Sequence, residues 1–400
     1  MTLRSAGPAT EVRDVTRRRA DRITESECDL EEFVALTQRA TDLADYPHAD
    51  STEHGVLFYD SASVVSASGE GREALADELA DALLNGPGIV VFPGAFDDRH
   101  GLTEMTTLFG EIIADQKASG TVGGDHFAKP GANDRIWNGV QKVALRSPQL
   151  FARYYANDIL ALISEAWLGP MYQVTSQPNV VNPGGTAQNP HRDYHLGFMS
   201  TGTAARFRAH THRVSPALTL QGAVAHVAMP IESGPTMYLP FSQLYEAGYL
   251  AFNLPEFREH FEKNYVQLPL HAGDAVFFNP ALFHAAGQNT SSDIKRMANL
   301  LQVSSAFGRA MDAVDRSAVV RALYPTLLGL AEAGDTRAVR NVIASSAEGY
   351  AFPTNLDIDQ PITGLTGETQ AELVARAVAG RFDVERFERE LAELAARHTA

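Results

Sequence analysis

The sequence predicts an α+β protein: a mainly β core with helices before and after it. Three observations predict this. The stretch from about 171 to 305 breaks into short apolar runs separated by turn-forming residues, the pattern of a sandwich or barrel. The flanking segments carry apolar residues at helical spacing. At 400 residues, with 44% apolar and 20% charged content, the chain has ample material for one large core and an ordinary globular composition. The expected divisions of this one integrated domain are a disordered tail over 1–25, a helical region over 26–170 with an opening strand near 88–92, the β core over 171–305 and a second helical region over 306–400.

In order along the chain, the Arg-rich opening MTLRSAGPATEVRDVTRRRADR has no hydrophobic signal core, and Glu11, Asp14 and Asp21 argue against a transit peptide. EALADELADALLNG places Leu75, Leu79 and Leu83 on one helical face and stops at Asn85-Gly86-Pro87-Gly88. GIVVFPGAF reads as a buried strand. GLTEMTTLFGEIIADQ reads as an amphipathic helix through Leu102, Met105, Leu108 and Phe109. DHFAKPGANDRIWNG, dense in Gly, Pro and Asn, reads as a loop. A long helix is expected from the Ser147-Pro148 start through Tyr155 and Ile163 to Trp167, ending at Gly169-Pro170.

The candidate core strands are MYQVTSQPNVV, HRDYHLGF, ALTLQGAVAHVAM, TMYLP, NYVQLPL, DAVFFN, ALFHAA and RMANLLQVSS. In the first of these, Gln173, Thr175, Gln177 and Asn179 alternate with Tyr172, Val174 and Val180, so one polar face is expected, either a cavity wall or a solvated edge. After 310 the helical pattern returns around Leu327, Leu328 and Leu330, in ETQAELVARAVAG, and in DVERFERELAELAARH with Asp383 as its N-cap. These helices suit a homodimer interface and a cover for the barrel equally.

A formal charge of −16 repels phosphate backbones, so no nucleic-acid partner is expected. No apolar run approaches membrane-spanning length, and no membrane partner is expected. The single cysteine, Cys28, forms no intramolecular disulfide, which fits a reducing, cytoplasmic setting.

The chemistry concentrates in two segments. In His191-Arg192-Asp193, strand periodicity puts the imidazole and the carboxylate on one face and Arg192 on the other. LFHAAGQNTSSDIKR adds His284, 91 residues beyond Asp193, and Arg296, 12 residues further on. Two histidines and one carboxylate on one face of a metal leave the other face open, as in non-haem Fe(II) oxygenases. Alone, an HxD tripeptide is usually solvated surface and a lone His usually a satisfied core residue; the joint pattern is what points to a metal. Arg296 can pair both oxygens of a carboxylate, and the intervening turn lets it sit on a strand adjacent to that of His284. Lys295 competes for this role, because a shift of one residue reverses the strand face. His191 and His195 at helical spacing would suit a zinc protease, but HExxH is absent. His210 and His212, in FRAHTHR, are expected in a mobile loop.

These residues resemble the phytanoyl-CoA dioxygenase family of Fe(II)/2-oxoglutarate oxygenases. HRD matches the family's HxD, HAAGQNTSSDIKR its distal histidine and following arginine, IESGPTMYLPFSQ the region between them, and GIVVFPGAF its opening strand. The resemblance covers roughly residues 88–305. It implies a double-stranded β-helix (jelly-roll, cupin-like) barrel with helical additions. It implies iron ligands His191, Asp193 and His284, and 2-oxoglutarate held at its distal carboxylate by Arg296. Thr175, Gln177 and Asn179 are the candidate further contacts to that co-substrate.

The implied reaction consumes O2, with ascorbate as a stimulant, and yields succinate and CO2. It hydroxylates an unactivated C–H bond of a small metabolite or natural-product intermediate. Desaturation, epimerisation and cyclisation use the same ligands, and a non-catalytic cupin-like binding protein is the alternative of another class. Candidate substrate contacts are Tyr194, His195 and Phe198, the loop through Arg206 and Arg208, Tyr238, and a lid at Trp137 and Asn138. Two departures from the family pattern stand out. Ala286 replaces a small polar residue two places after the distal histidine, and PFSQ replaces PGSH.

Overall fold

The computed structural model of the protein describes residues 20–120, 131–197, 199–361 and 364–399. Within them the strands are β1 (Ser51–Glu53), β2 (Val56–Phe58), β3 (Ile89–Phe92), β4 (Asn133–Arg135), β5 (Gln173–Val181), β6 (Thr219–Ala225), β7 (Thr236–Leu239), β8 (Val266–Gln267), β9 (Ala275–Phe278), β10 (Phe283–Ala286) and β11 (Arg296–Ser304). They form a mixed sheet in the order β1-β2-β3-β9-β6-β11-β5-β4 and a smaller sheet in the order β10-β7-β8. From β5 onward the chain passes back and forth between the sheets, and all pairings there are antiparallel. This is the β core with flanking helices that the sequence pattern anticipates, in the jelly-roll form that the family resemblance implies.

Period-2 alternation sorts the large sheet's residues. Val174, Leu220, Val224, Ala275, Phe277, Leu301 and Val303 face outward into the main core. There they meet helices Gly69–Leu84, Pro148–Tyr155, Asp158–Leu168 and Arg316–Glu332, which contribute Leu79, Phe151, Ile163 and Leu323. The opposite set, including Gln177, Asn179, Gln221, Ala223, Val276, Arg296 and Leu300, faces a cavity between the sheets. Outside the small sheet a second core joins Met237, Leu239, Phe283 and Ala285 to Phe33, Tyr245 and Phe257.

Several expectations change. The fold begins before residue 25: Ile23 is buried, and an isolated bridge joins Arg22 to Arg208. β1 and β2 are too short to show a periodicity. β4 lies inside the Gly-rich segment expected to be a loop, held by pairing with β5 rather than by its own propensity. The long helix expected from 148 to 168 is two helices. Asn157 Oδ1 accepts from Leu160 N at 2.9 Å and restarts the helix. Helix Thr336–Ser346 has no counterpart in the sequence reading. His212 lies in helix Ala209–Val214, buried beside Tyr194 and Tyr249, rather than in a mobile loop. Asp383 caps its helix as expected, accepting from Arg386 N at 2.8 Å. No helix of the described residues is long and apolar enough to cross a membrane.

Candidate metal centre

Residues 191–197, HRDYHLG, do not form a strand. Pro190 supplies no N–H, and only His191 pairs, in an isolated antiparallel bridge with His284. His191 N donates to His284 O at 3.0 Å, and His284 N donates to His191 O at 3.1 Å. His191 thus occupies the edge of the small sheet beside β10. Asp193 N is anchored on Pro280 O at 3.0 Å. These three bonds bring the two distant segments together.

The side chains converge. His191, Asp193 and His284 each offer a ligand atom, all within 4.8 Å of one another. His191 Nε2 lies 4.0 Å from Asp193 Oδ1, and His284 Nε2 lies 3.8 Å from Asp193 Oδ2. Each imidazole is held through Nδ1 by the carbonyl two residues earlier: His191 by Asn189 O at 3.0 Å, His284 by Leu282 O at 2.8 Å. A carbonyl only accepts, so Nδ1 carries the proton and Nε2 presents its lone pair to the shared point. Burial, aided by the neighbouring His191, lowers His284 to about 4 and keeps it in the neutral form a metal requires. Gln221 Nε2 donates to Asp193 Oδ2 and orients the carboxylate.

Arg192 points the other way, into the second core. It is buried, donates from Nη2 to Ser242 O, and lies over the rings of Tyr249 and Phe283 at 5.1 and 5.4 Å. Ser242, from the PFSQ segment, also accepts from Phe283 N at 2.8 Å and donates to Leu239 O at 2.6 Å. That departure from PGSH therefore keeps its serine as a tie between β7, β10 and the HxD segment. Phe241 takes the glycine's place at a φ of 64°, a conformation that costs a bulky residue strain.

A cavity of about 700 Å³ holds the triad and, at its far wall, Arg296. Arg296 is buried, and its Nη1 has no hydrogen-bond partner. Among the described residues no carboxylate pairs with it. Burial lowers it to about 10, which the nearby Tyr238 opposes, so it stays cationic at neutral pH. Lys295 is exposed. Of the two competitors, only Arg296 faces the cavity. Arg296 does not sit on a strand adjacent to β10, because β10 and β11 belong to different sheets. It faces the small sheet across the cavity, at the start of β11.

Of the other candidate residues, Gln177, Asn179, Tyr238 and Trp137 line the cavity. Gln177 is tied by its Nε2 to Asp312 at 2.7 Å. Thr175 lies off the wall; it is fully buried and donates to Gln302 O at 2.8 Å. Tyr194 turns into the second core against Phe207 and Tyr249. His195 is structural: its Nδ1 meets Thr219 Oγ1 at 2.7 Å and its Nε2 accepts from Arg309 N at 3.1 Å. Arg206 and Arg208 are exposed, and Asn138 bonds Gln141 at 2.9 Å instead of forming a lid. Phe198 lies outside the described residues.

Sequence reasoning missed Gln188, Gln221 and Gln302 on the wall. The signal was a lone glutamine inside an apolar strand, in LTLQGAVA and NLLQVSS. Beside Ala286, the other departure, Gln188 lies on the wall and accepts from Ala286 N at 3.2 Å.

The site fits its implied metal and co-substrate. It has three neutral-or-anionic donors with oriented lone pairs, and a buried cation with an unpartnered donor for a carboxylate. The family model for phytanoyl-CoA dioxygenase (PhyH) matches residues 29–297. The chain belongs to the PhyH family. As a PhyH protein it is a 2-oxoglutarate-dependent, non-haem iron oxygenase. No curated protein matches it in sequence.

Similar solved structures include the non-haem α-ketoglutarate-dependent epimerase SnoN from nogalamycin biosynthesis. SnoN is 21% identical, with 61% of this chain and 88% of that chain covered and a TM-score of 0.42. The carbocyclase SnoK from the same biosynthesis is 20% identical (61% and 86% covered, TM-score 0.40). HygX from Streptomyces hygroscopicus, with nickel and 2-oxoglutarate bound, is 14% identical (57% and 87% covered, TM-score 0.40). The PhyH assignment rests on the family model and not on these likenesses.

Proposed function

We propose that this PhyH protein hydroxylates an unactivated C–H bond of a small metabolite or natural-product intermediate. The observation that carries the reading is a buried His-Asp-His cluster sharing one cavity with a buried, uncompensated arginine. His191 Nε2, Asp193 and His284 Nε2 hold Fe(II). Arg296 holds the distal carboxylate of 2-oxoglutarate. When bound, the metal and co-substrate supply O2-dependent oxidation of a C–H bond, with succinate and CO2 as co-products.

The chain's own residues do the rest. Asn189 O and Leu282 O fix the histidine tautomers, and Gln221 fixes the Asp193 carboxylate. With Asp193 as a ligand, the metal would keep a carboxylate where halogenation would need room for a halide, which favours hydroxylation. The apolar wall of Leu300, Val276 and Phe278 excludes water from the reacting centre. Gln177 and Asn179 are wall contacts near the co-substrate. We read residues 171–305 as the catalytic core of one integrated domain. The single cysteine, Cys28, is free, which suits a cytoplasmic setting.

The test is a metabolite screen with Fe(II), 2-oxoglutarate and ascorbate. A product one oxygen heavier, formed in step with succinate, supports hydroxylation. A product lighter by two hydrogens, or of unchanged mass, replaces it with desaturation or with epimerisation.

A further inference from the structure

Two glutamines stand side by side on the cavity wall, and each has an amide oxygen that no group of the chain uses. Gln221 of β6 and Gln302 of β11 are directly opposite in the strand register, so their side chains leave the same face about 5 Å apart. Gln221 is buried, and its orientation is forced. Asp193 accepts only, so Gln221 must present Nε2 to it, and Oε1 must point elsewhere. That Oε1 is buried without a partner, and so is Gln302 Oε1. Buried carbonyl oxygens are normally paired, and two adjacent orphans in a cavity call for a donor from outside the chain.

The co-substrate does not supply that donor. 2-Oxoglutarate carries only acceptors at neutral pH. Arg296 lies six residues before Gln302 on the same strand, roughly 20 Å of extended chain at ~3.4 Å per residue. A five-carbon diacid anchored at Arg296 and reaching the metal ends before Gln302. The glutamine pair therefore belongs to the opposite end of the cavity, beside the metal through Asp193. Gln302 sits in a row with Thr175, Gln221 and Phe278. Thr175 is already spent on Gln302 O, so it does not satisfy either amide oxygen.

We propose that Gln221 and Gln302 are the substrate-recognition pair of this site, and that the substrate presents hydroxyl or amine donors next to the carbon that reacts. This rests on the reading of the cavity as an oxygenase site and narrows its substrate class to polyol-like or amino-alcohol molecules. Gln221 joins the two jobs: its Nε2 orients a metal ligand and its Oε1 receives the substrate. Gln302 serves the substrate alone.

The experiment uses the full chain, loaded anaerobically with Fe(II) and 2-oxoglutarate. Its probes are trans-cyclohexane-1,2-diol, trans-2-aminocyclohexanol and methoxycyclohexane, the last lacking any donor. Binding is read by ligand-observed NMR, with the iron-induced relaxation of probe protons reporting proximity to the metal. The diol and the amino alcohol bind next to iron, and Gln302→Leu weakens both by about five- to tenfold while leaving methoxycyclohexane unaffected. Gln302→Glu keeps an acceptor, restores the diol and tightens the protonated amino alcohol, which a merely structural role would not produce.

The proposal is overturned if neither donor-bearing probe binds, if methoxycyclohexane binds as tightly as the diol, or if Gln302→Leu leaves the diol unaffected. The 2-oxoglutarate affinity of the same samples separates the two readings. Diol binding without 2-oxoglutarate binding sinks the oxygenase reading, and the reverse sinks only this one.

Discussion

His191 and His284 exchange a reciprocal pair of backbone hydrogen bonds, at 3.0 and 3.1 Å, across 93 residues of chain. Their rings lie 4.5 Å apart, and both Nε2 atoms face Asp193. The metal centre is thus built into the hydrogen bonding of the small sheet. Forming this one bridge against β10 also brings the two imidazoles together.

Gln221 is expected to tune the metal without binding it. Gln221→Leu removes the donor to Asp193 and weakens metal affinity by about 10–100-fold. Isothermal titration with Mn(II) under anaerobic conditions measures this directly. An unchanged affinity would mean that Asp193 needs no orienting partner.

Arg296 and Lys295 differ by one strand position and should differ completely in consequence. Arg296→Leu leaves the co-substrate's carboxylate without a buried partner and costs about 2–5 kcal/mol, or roughly 30- to 4000-fold in 2-oxoglutarate affinity. Lys295→Leu, on the exposed face, leaves it unchanged. Equilibrium binding of 2-oxoglutarate to the two variants compares them side by side.

Gly248 is a packing requirement of the HxD segment. A Cβ placed there would lie 2.1 Å from the Arg192 guanidinium carbon. Arg192 is buried between rings and cannot swing away freely. Gly248→Ala should cost about 1–3 kcal/mol of stability. Because Arg192 sits between two metal ligands, it should also lower metal affinity. Chemical denaturation and metal titration of the same variant check both parts.

The pH dependence of stability should carry a signature from His226, which is not part of the metal triad. This histidine is buried in the main core, with Nε2 at 2.9 Å from Tyr154 OH and Nδ1 at 2.8 Å from Thr106 Oγ1. Burial lowers it from 6.5 to about 3. The unfolded chain takes up a proton near pH 6.5 and the folded one does not. The contribution is therefore fully present above pH 6.5 and is lost as pH falls toward 3, by about 1.4 kcal/mol per unit. Urea denaturation at pH 6.5 and 5 should differ by about 2 kcal/mol from this group, and His226→Leu should remove that difference.

Much of this was legible in the sequence, for identifiable reasons. The core strands were readable because β5, β6, β9 and β11 alternate cleanly between an outer hydrophobic face and an inner wall. The His191, Asp193 and His284 cluster was readable because its chemistry is rare in combination. The break at Asn157 was not, since the apolar spacing continues across it and only the cap decides. The off-wall positions of Thr175, His195 and Tyr194 were equally hidden. Each has the right chemistry and lies within a few positions of wall residues, but is held by a partner distant in sequence: Gln302, Thr219 and Tyr249. Gln221 and Gln302 were visible as lone polar residues in apolar strands. Their meaning depended on the register that sets them opposite each other.

The central claim is that His191, Asp193 and His284 form one iron site served by 2-oxoglutarate. Anaerobic titration with Fe(II) in the presence of 2-oxoglutarate, followed by the visible absorption of the metal–ketoacid chelate, tests it most directly. The account predicts one Fe(II) per chain with the chelate band in the unaltered protein, and loss of both in His284→Ala. Full retention of stoichiometric iron and of the band in that variant would contradict it.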